Sequence, residues 1–288
     1  MRVMVLGSSG MAGRVCLDYL SAFKELTVMG LERTSKNSRK PSLKPNVIRA
    51  NVKSFFDKEF DAEVKDFAPD TIINGIGVVK QRLRAIDSRE VVEMNALFPH
   101  HLARLINKNR FRLINLSTDC VFDGAKGNYC EEDLESATDL YGRSKILGEV
   151  KHEKVLNLRT SLVGHETSNR QGLLEWFLSS SGSVFGYQNA FFSGLTTLEL
   201  AKILHRYVLV NKEINGTLHV SGRRISKYDL LNIFEQIYDT QCVVHREDSF
   251  RIDRSLDDSK FRKLTGYNPK SWVEQVGELK RYNDSGII

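Results

Sequence analysis

Cysteine is scarce in this chain and shows no pattern. Cys16, Cys120, Cys130 and Cys242 form neither a Cys-x-x-Cys pair nor any zinc-type spacing, which argues for reduced thiols and against a disulfide framework. The seven histidines include no His-Glu-x-x-His, so no metal is expected, and His100-His101 read as helix residues facing solvent or partly packed. There is no Gly-x-x-x-x-Gly-Lys-Ser/Thr loop and no Gly-x-Ser-x-Gly elbow, which sets aside P-loop and α/β-hydrolase chemistry. No apolar run approaches bilayer length, and the chain enters a strand at once (Arg2-Val-Met-Val-Leu6), so neither a membrane span nor a signal peptide is expected and the protein reads as cytoplasmic. Charge of one sign is also lacking. The 42 Lys+Arg against 36 Asp+Glu leave +6, scattered and not gathered into a stripe, so nucleic acid is not an expected partner.

What is present is a long alternation of short apolar runs and amphipathic stretches. Strands are predicted at Arg2–Leu6, Leu26–Gly30, Val47–Ala50, Thr71–Asn74, Arg112–Ser117 and Val155–Leu158. Helices are predicted at about Ala12–Phe23, Phe55–Phe67, Arg89–Lys108 and Tyr141–His152, with Pro99 kinking the third or starting a new segment. Near-continuous apolar strands separated by helices indicate an α/β fold with a parallel sheet covered on both faces. After Arg159 the alternation weakens to helical segments at Leu173–Leu178, Leu198–Tyr207 and Lys227–Ile237, with extended pieces such as Gly216–Ser221. The 288 residues suffice for one large domain and a smaller one.

Directly after the first strand stands Gly7-Ser-Ser9-Gly10-Met11-Ala12-Gly13. Gly7 permits the tight turn, Gly10 lets backbone approach a pyrophosphate, and Gly13 allows close helix–strand contact, while the helix N-terminus offers N–H groups to phosphate. The second strand ends in Glu32-Arg33. A carboxylate there receives ribose hydroxyls and an arginine accommodates the extra phosphate of NADP, so the pair leaves NADH and NADPH open. The basic stretch Thr34–Pro45, read as an exposed loop, tilts the expectation slightly toward NADPH.

Tyr141 and Lys145, four residues apart, project from one helix face. The lysine charge is expected to lower the phenol's pKa from about 10 toward working pH, preparing it to exchange a proton with a carbonyl or alcohol oxygen. Thr118 closes an apolar run, where doubly wound sheets place ligands, and can hold the carbonyl oxygen. Asn95 reads equally as a support for Lys145 or as an ordinary helix residue. Cys120 has no nearby histidine to activate it as a nucleophile.

Together these residues resemble the extended short-chain dehydrogenase/reductases, and more narrowly the dTDP-4-dehydrorhamnose reductase family. The anchors are the opening glycines, Pro69-Asp-Thr-Ile-Ile-Asn74, Ser117-Thr-Asp-Cys-Val-Phe-Asp-Gly124, Tyr141-Gly-Arg-Ser-Lys145 with Gly148-Glu149, and Leu158-Arg-Thr-Ser161. The resemblance implies a Rossmann-type doubly wound sheet with a smaller C-terminal α/β substrate lobe. It implies catalysis by Thr118, Tyr141 and Lys145. Cofactor contacts are implied for Gly7, Ser9, Gly10, Met11, Ala12, Gly13, Glu32, Arg33, Asn51, Val52, Gly75, Ile76, Gly77, Asn95, Ser117, Tyr141 and Lys145. The cofactor domain is implied to span 1–160 with a return at about 193–222, leaving 161–192 and 223–288 to the substrate lobe.

The implied reaction is NAD(P)H-dependent reduction of the C4 keto group of a nucleotide-linked 4-keto-6-deoxyhexose in surface-polysaccharide (O-antigen) precursor synthesis. Substrate contacts are expected from Lys80, Thr118, Asp119, Cys120, Val121, Phe122, Tyr141, Leu162, Trp176 and Phe177, with Arg223-Arg224 as further candidates; Trp176 reads equally as a core aromatic. Cys120 and Leu162 stand where the family carries aromatics, which implies a reshaped pocket. Val79-Lys-Gln81, His165 and Gly172–Phe177 are similar to a distinct subfamily of reductases from surface-polysaccharide pathways, some of which act on UDP-linked 2-acetamido-4-keto-6-deoxyhexoses. The nucleotide, dTDP or UDP, stays open, and a homodimer is the candidate assembly. The alternatives are an epimerase or dehydratase on the same scaffold and a non-catalytic dinucleotide-binding regulatory subunit. A dehydratase needs a second acid where Cys120 stands.

Overall fold

The computed structural model describes residues 1–33, 38–41, 46–83, 85–166 and 171–285. The first half runs β1 (Arg2–Leu6), α1 (Met11–Ser21), β2 (Thr27–Arg33), β3 (Ser38–Pro41), β4 (Val47–Val52), α2 (Lys58–Phe67), β5 (Thr71–Asn74), α3 (Ser88–Val92), α4 (Phe98–Asn109), β6 (Arg112–Leu116), α5 (Leu140–Leu147) and β7 (Val155–Arg159). The second half runs β8 (Leu162–Val163), α6 (Leu173–Leu178), β9 (Ser183–Tyr187), β10 (Ala190–Phe192), β11 (Leu195–Thr196), α7 (Thr197–Ile203), β12 (Gly216–His219), β13 (Ile225–Ser226), α8 (Lys227–Tyr238), β14 (Val243–Glu247), β15 (Ile252–Asp253), α9 (Ser259–Thr265) and α10 (Trp272–Asp284).

The central sheet has the order β12-β7-β6-β5-β1-β2-β4-β3. Seven strands are parallel, and β3 runs antiparallel along β4 at one edge. The expected exposed loop at 34–45 therefore needs correcting. Ser38–Pro41 is an edge strand, where Pro41 is tolerated because an edge leaves some N–H positions unpaired; residues 34–37 and 42–45 lie outside the described residues. One apolar cluster, around Val3, Val5, Leu17, Ile114 and Leu156, fills one face and continues into the C-terminal elements. The other, around Met4, Leu6, Phe60, Phe98 and Leu113, fills the opposite face under α2 and α4. Burial on both faces is why β1 reads as an unbroken apolar run after Arg2.

The strands flanking the sheet centre are nevertheless not purely apolar. Asn74, Asn115 and Asn157 occupy matching register positions on β5, β6 and β7, with Thr217 of β12 next in line. Asn74 Nδ2 donates to Asn115 Oδ1 (2.9 Å), and Asn115 Nδ2 donates to Asn157 Oδ1 (3.1 Å) and to the Gly148 carbonyl (3.0 Å). Asn157 exchanges bonds with both backbone groups of Val150. This polar ladder stops α5 at Leu147, short of the predicted His152, because Gly148 and Val150 bond to the sheet and not to a further helical turn.

The predicted helix at Arg89–Lys108 is divided. α3 passes into a π-helical turn at Glu93–Leu97, and α4 begins at Phe98 with Pro99 in its first turn. Proline lacks the N–H that the preceding turn would have to satisfy, so a new segment starts there. α2 begins at Lys58, later than the predicted Phe55, because Asp57 caps it through the Phe60 N–H (2.9 Å). Among the described residues no helix is long and apolar enough to cross a membrane.

His219, at the end of β12, is wholly buried, with Nδ1 2.9 Å from the Tyr129 carbonyl oxygen. Burial, aided by the Arg159 charge, brings its pKa down to about 4. Between that value and about 6.5 the unfolded chain binds the extra proton, so stability falls as pH drops through this window. The expected loss is about 3 kcal/mol in total. Urea denaturation from pH 4.5 to 7 should show the slope, and His219→Asn should flatten it.

Candidate active site

The opening glycines form the turn their spacing predicts. Gly7 has φ +74°, and the Gly10 N–H donates to its carbonyl (2.9 Å). A Cβ on Gly13 would stand 2.2 Å from the Gly7 oxygen, a backbone clash that nothing flexible could relieve. Gly10 caps α1 without a side-chain bond, and no acidic residue lies in the first turn. The first-turn N–H groups and the positive helix end are thus left for an anion, and Ser9 and Gly10 are exposed there, with Met11 and Ala12 half-buried behind them. Gly75 packs against Leu6 and Ile76 against Gly7, which brings the turn after β5 alongside. This is a cradle that side chains would fill, and a dinucleotide fits it.

Glu32 and Arg33 end β2 beside Asn51 and Val52 of β4. Arg33 is ion-paired with Glu90 (2.8 Å). Val52 requires a correction: its side chain packs in the core, so only its backbone could touch a ligand.

Asn95 sits in the π turn, and it does not hold Lys145. Its Oδ1 accepts the Val78 N–H (2.8 Å), and its Nδ2 donates to the Val78 carbonyl (3.0 Å) and Ser144 Oγ (3.1 Å). Asn95 thus pins the turn after β5 to α5. A Cβ on Gly77 in that turn would lie 3.1 Å from Asn95 Oδ1 and 3.8 Å from Lys145 Nζ, so the lysine borders the cofactor cradle.

At the end of β6, Thr118 caps a short 3₁₀ turn. Its Oγ1 accepts the Cys120 N–H (3.1 Å) and donates to Asp119 Oδ1 (3.2 Å). Tyr141 opens α5, whose cap Asp139 accepts the Gly142 N–H (2.9 Å). Lys145 donates to the Leu116 carbonyl (2.6 Å), and burial brings its pKa down to about 8 against the opposing pull of Glu149. The expected lowering of the Tyr141 pKa does not hold. Burial raises it, the nearby Cys120, Asp119 and Asp139 add to the rise, and hydrogen bonding from Thr118 only partly offsets them. Desolvation of the phenolate is the leading cause, so at neutral pH Tyr141 carries its proton.

Other expected contacts separate into those facing the site and those committed elsewhere. Ser117 donates its hydroxyl to Glu149 Oε1 (2.6 Å), which also takes the buried Arg159 guanidinium. Phe122 stacks on Tyr129 (4.1 Å between centroids) in a small core with Val121, so neither side chain is open to substrate. Phe177 is buried against Phe234. Trp176 stays exposed on α6, and Leu162 is half-buried in β8. Lys80 pairs with Asp139 (2.6 Å) at the start of the Tyr141 helix. Arg223 and Arg224 instead border a separate polar cavity of about 540 Å³ with Ser255 and Asp258, where Arg224 is spent on Asp253 (2.8 Å) and the Phe191 ring. Cys120 is no nucleophile: burial and Asp119 push its thiol up to about 12.

Two cations went unnoticed in the sequence. Lys227 and Arg254, both from the C-terminal elements, act electrostatically on Asp119 and Cys120. The one available signal was Lys227 at the first position of a helix, where a positive charge opposes the dipole.

Removing the Asn95 amide by Asn95→Ala leaves the buried Val78 backbone groups unpaired. The expected cost is about 2–4 kcal/mol in urea denaturation, with weaker dinucleotide binding by calorimetry.

The chain matches the family model described as RmlD substrate binding domain over residues 1–282. It is 22% identical over 244 residues to a dTDP-4-dehydrorhamnose reductase of Aggregatibacter actinomycetemcomitans, covering 76% of this chain and 83% of the relative. It is 24% identical over 250 residues to methionine adenosyltransferase 2 subunit beta of Rattus norvegicus, covering 80% of this chain and 70% of that one. The solved dTDP-4-dehydrorhamnose reductase of Bacillus anthracis, in complex with NADP, superposes with a TM-score of 0.76 at 18% identity, covering 98% of this chain and 99% of that one. With a glycine cradle at one end of the cleft, Thr118, Tyr141 and Lys145 at the other, and a family match along nearly its whole length, this chain belongs to the RmlD substrate binding domain family.

Proposed function

We propose that the protein is an oxidoreductase that uses a nicotinamide dinucleotide to reduce the C4 ketone of a nucleotide-linked 4-keto-6-deoxyhexose, in the manner of dTDP-4-dehydrorhamnose reductases. The observation that carries this reading is the Thr118–Tyr141 hydrogen bond at the end of β6, with Lys145, one turn along the same helix, reaching to the Gly77 turn of the cofactor cradle. When bound there, the dinucleotide supplies hydride. Thr118 Oγ1 and the Tyr141 hydroxyl hold the ketone oxygen, and Tyr141, protonated at neutral pH, gives that oxygen its proton as the alcohol forms. Lys145 stabilises the resulting phenolate with its charge. Residues 1–160 and 193–222 would hold the dinucleotide, and 161–192 with 223–288 the sugar nucleotide. The same reading places the protein in the cytoplasm, as a homodimer, in polysaccharide precursor synthesis.

The finer substrate assignment is part of the proposal. Cys120 and Leu162, small beside the aromatics of the resembled family, leave room for an acetamido group. Turnover of UDP-2-acetamido-4-keto-6-deoxyhexose alongside dTDP-4-dehydrorhamnose would support that extension; turnover of the dTDP sugar alone would remove it. The likeness to a subunit of a different enzyme, methionine adenosyltransferase 2 subunit beta, favours a second reading, dinucleotide binding without turnover. Tyr141→Phe separates the two. Reduction, followed at the reduced-nicotinamide absorbance, should fall by about 10²–10⁴-fold, with dinucleotide affinity kept. A wild-type protein that binds dinucleotide yet reduces no nucleotide 4-keto sugar would instead support the regulatory reading.

We infer NADPH as the preferred cofactor, with Arg33 meeting the extra phosphate. Because Glu90 already occupies Arg33, the preference should be modest. Glu90→Gln should raise the NADPH-over-NADH ratio of kcat/KM by about 3–10-fold; an unchanged ratio would place the phosphate elsewhere.

A further inference from the structure

Beyond Thr118, Tyr141 and Lys145, one more charged group faces the same place from the opposite lobe. Lys227 is the first residue of α8, directly after its Ser226 cap. A cation there works against the helix dipole. Its ammonium lies 3.4 Å from the centroid of the Phe192 ring. Burial brings its pKa down to about 8, although Asp119 and Cys120 pull the other way. Apart from the ring, it makes no hydrogen bond or ion pair with any described residue. Three N–H donors are therefore unspent in a place where desolvation is costly.

Asp119 is the matching acceptor. It is buried beside Thr118, whose hydroxyl it accepts at 3.2 Å, and it also interacts with the Cys120 thiol, which leaves room on the carboxylate for a further donor. Lys227 and Asp119 lie within electrostatic reach but form no direct ion pair. Arg254, the other cation nearby, is committed to the carbonyls of Phe122 (2.9 Å) and Asp123 (3.4 Å). A donor and an acceptor thus lie within electrostatic reach of each other without bonding directly, and Asp119 adjoins Thr118, the residue proposed to hold the ketone. A hydroxyl both accepts and donates. Placed between them, it accepts a hydrogen bond from the ammonium and donates one to the carboxylate.

We propose that Lys227 and Asp119 form a two-sided clamp on a ring hydroxyl of the sugar, beside the carbon that is reduced, which makes Lys227 a specificity-determining residue. This rests on the reading that the cleft takes a nucleotide-linked hexose. The test is calorimetric titration of the NADP-loaded protein with dTDP-rhamnose and, separately, with dTDP. Lys227→Met should weaken dTDP-rhamnose binding by roughly 10- to 100-fold, leaving dTDP and NADP affinities as in the wild type. Should that variant lose NADP binding, Lys227→Gln, which keeps a neutral donor, is titrated in its place and should show a smaller loss in the same direction. Equal weakening of dTDP-rhamnose and dTDP would mean that the ammonium serves phosphate, and would overturn the clamp. So would unchanged dTDP-rhamnose affinity. A wild-type protein that binds neither ligand would remove the functional reading itself, and the clamp with it.

Discussion

Asn74, Asn115 and Asn157, bonded side chain to side chain across three parallel strands, are the interaction on which the rest of the site depends. Each amide has both a donor and an acceptor, so the row can continue indefinitely without leaving a buried group unpaired. Its free ends are spent on backbone: the Ile76 N–H in the cofactor turn, the Gly148 carbonyl at the end of α5, and both groups of Val150. One polar row inside an apolar sheet therefore ties the turn after β5 to the helix that carries Tyr141 and Lys145. Just beyond the ladder, buried Arg159 bonds Glu149 through two nitrogens and also takes Glu135, and Glu149 in turn accepts Ser117. The two networks together fix the carboxyl ends of β6 and β7 against the Gly148–Val150 segment.

This rigidity lets the site bear expensive groups. Lys145 is kept in a position that disfavours its charge, yet its ammonium is anchored on the Leu116 carbonyl and cannot withdraw to water. Tyr141 is half-buried among carboxylates and a thiol, all of which favour the neutral phenol. Such costs are sustained only when the surrounding structure holds the groups in place. The outcome is a proton donor at neutral pH, which suits reduction of a ketone better than oxidation of an alcohol.

Much of this was legible in the sequence. The glycine turn, the parallel sheet and the Tyr141–Lys145 face follow from spacing alone, because local sterics and helical geometry decide them. Errors arose where tertiary contacts overrule local pattern. Val121, Phe122 and Phe177 fall within or beside motifs of the expected pocket, but a short motif does not say which of its side chains turn inward to the core. The sign of the Tyr141 shift was misjudged because a lysine four residues away is visible in sequence and the desolvation that leads the shift is not. The role of Asn95 depends on a backbone group seventeen positions away in chain order, and Asp119, which acts electrostatically on Lys227, lies more than a hundred residues upstream of it. Neither distance leaves a trace in periodicity.

The π turn at Glu93–Leu97 has a consequence for how this stretch tolerates length changes. An i→i+5 turn holds one residue more than an ordinary helical turn, so whatever follows it is rotated by about 100° relative to an uninterrupted helix. Val91 before the turn, Met94 within it, and Phe98 and Leu102 after it all meet the same apolar layer. Excising a single residue here would let the backbone regain regular bonding, but the two halves would then point in different directions. Only one of them could keep its contact with the sheet. A one-residue deletion in this helix is thus a rotation fault, felt at the opposite end of α4 as strongly as at Asn95.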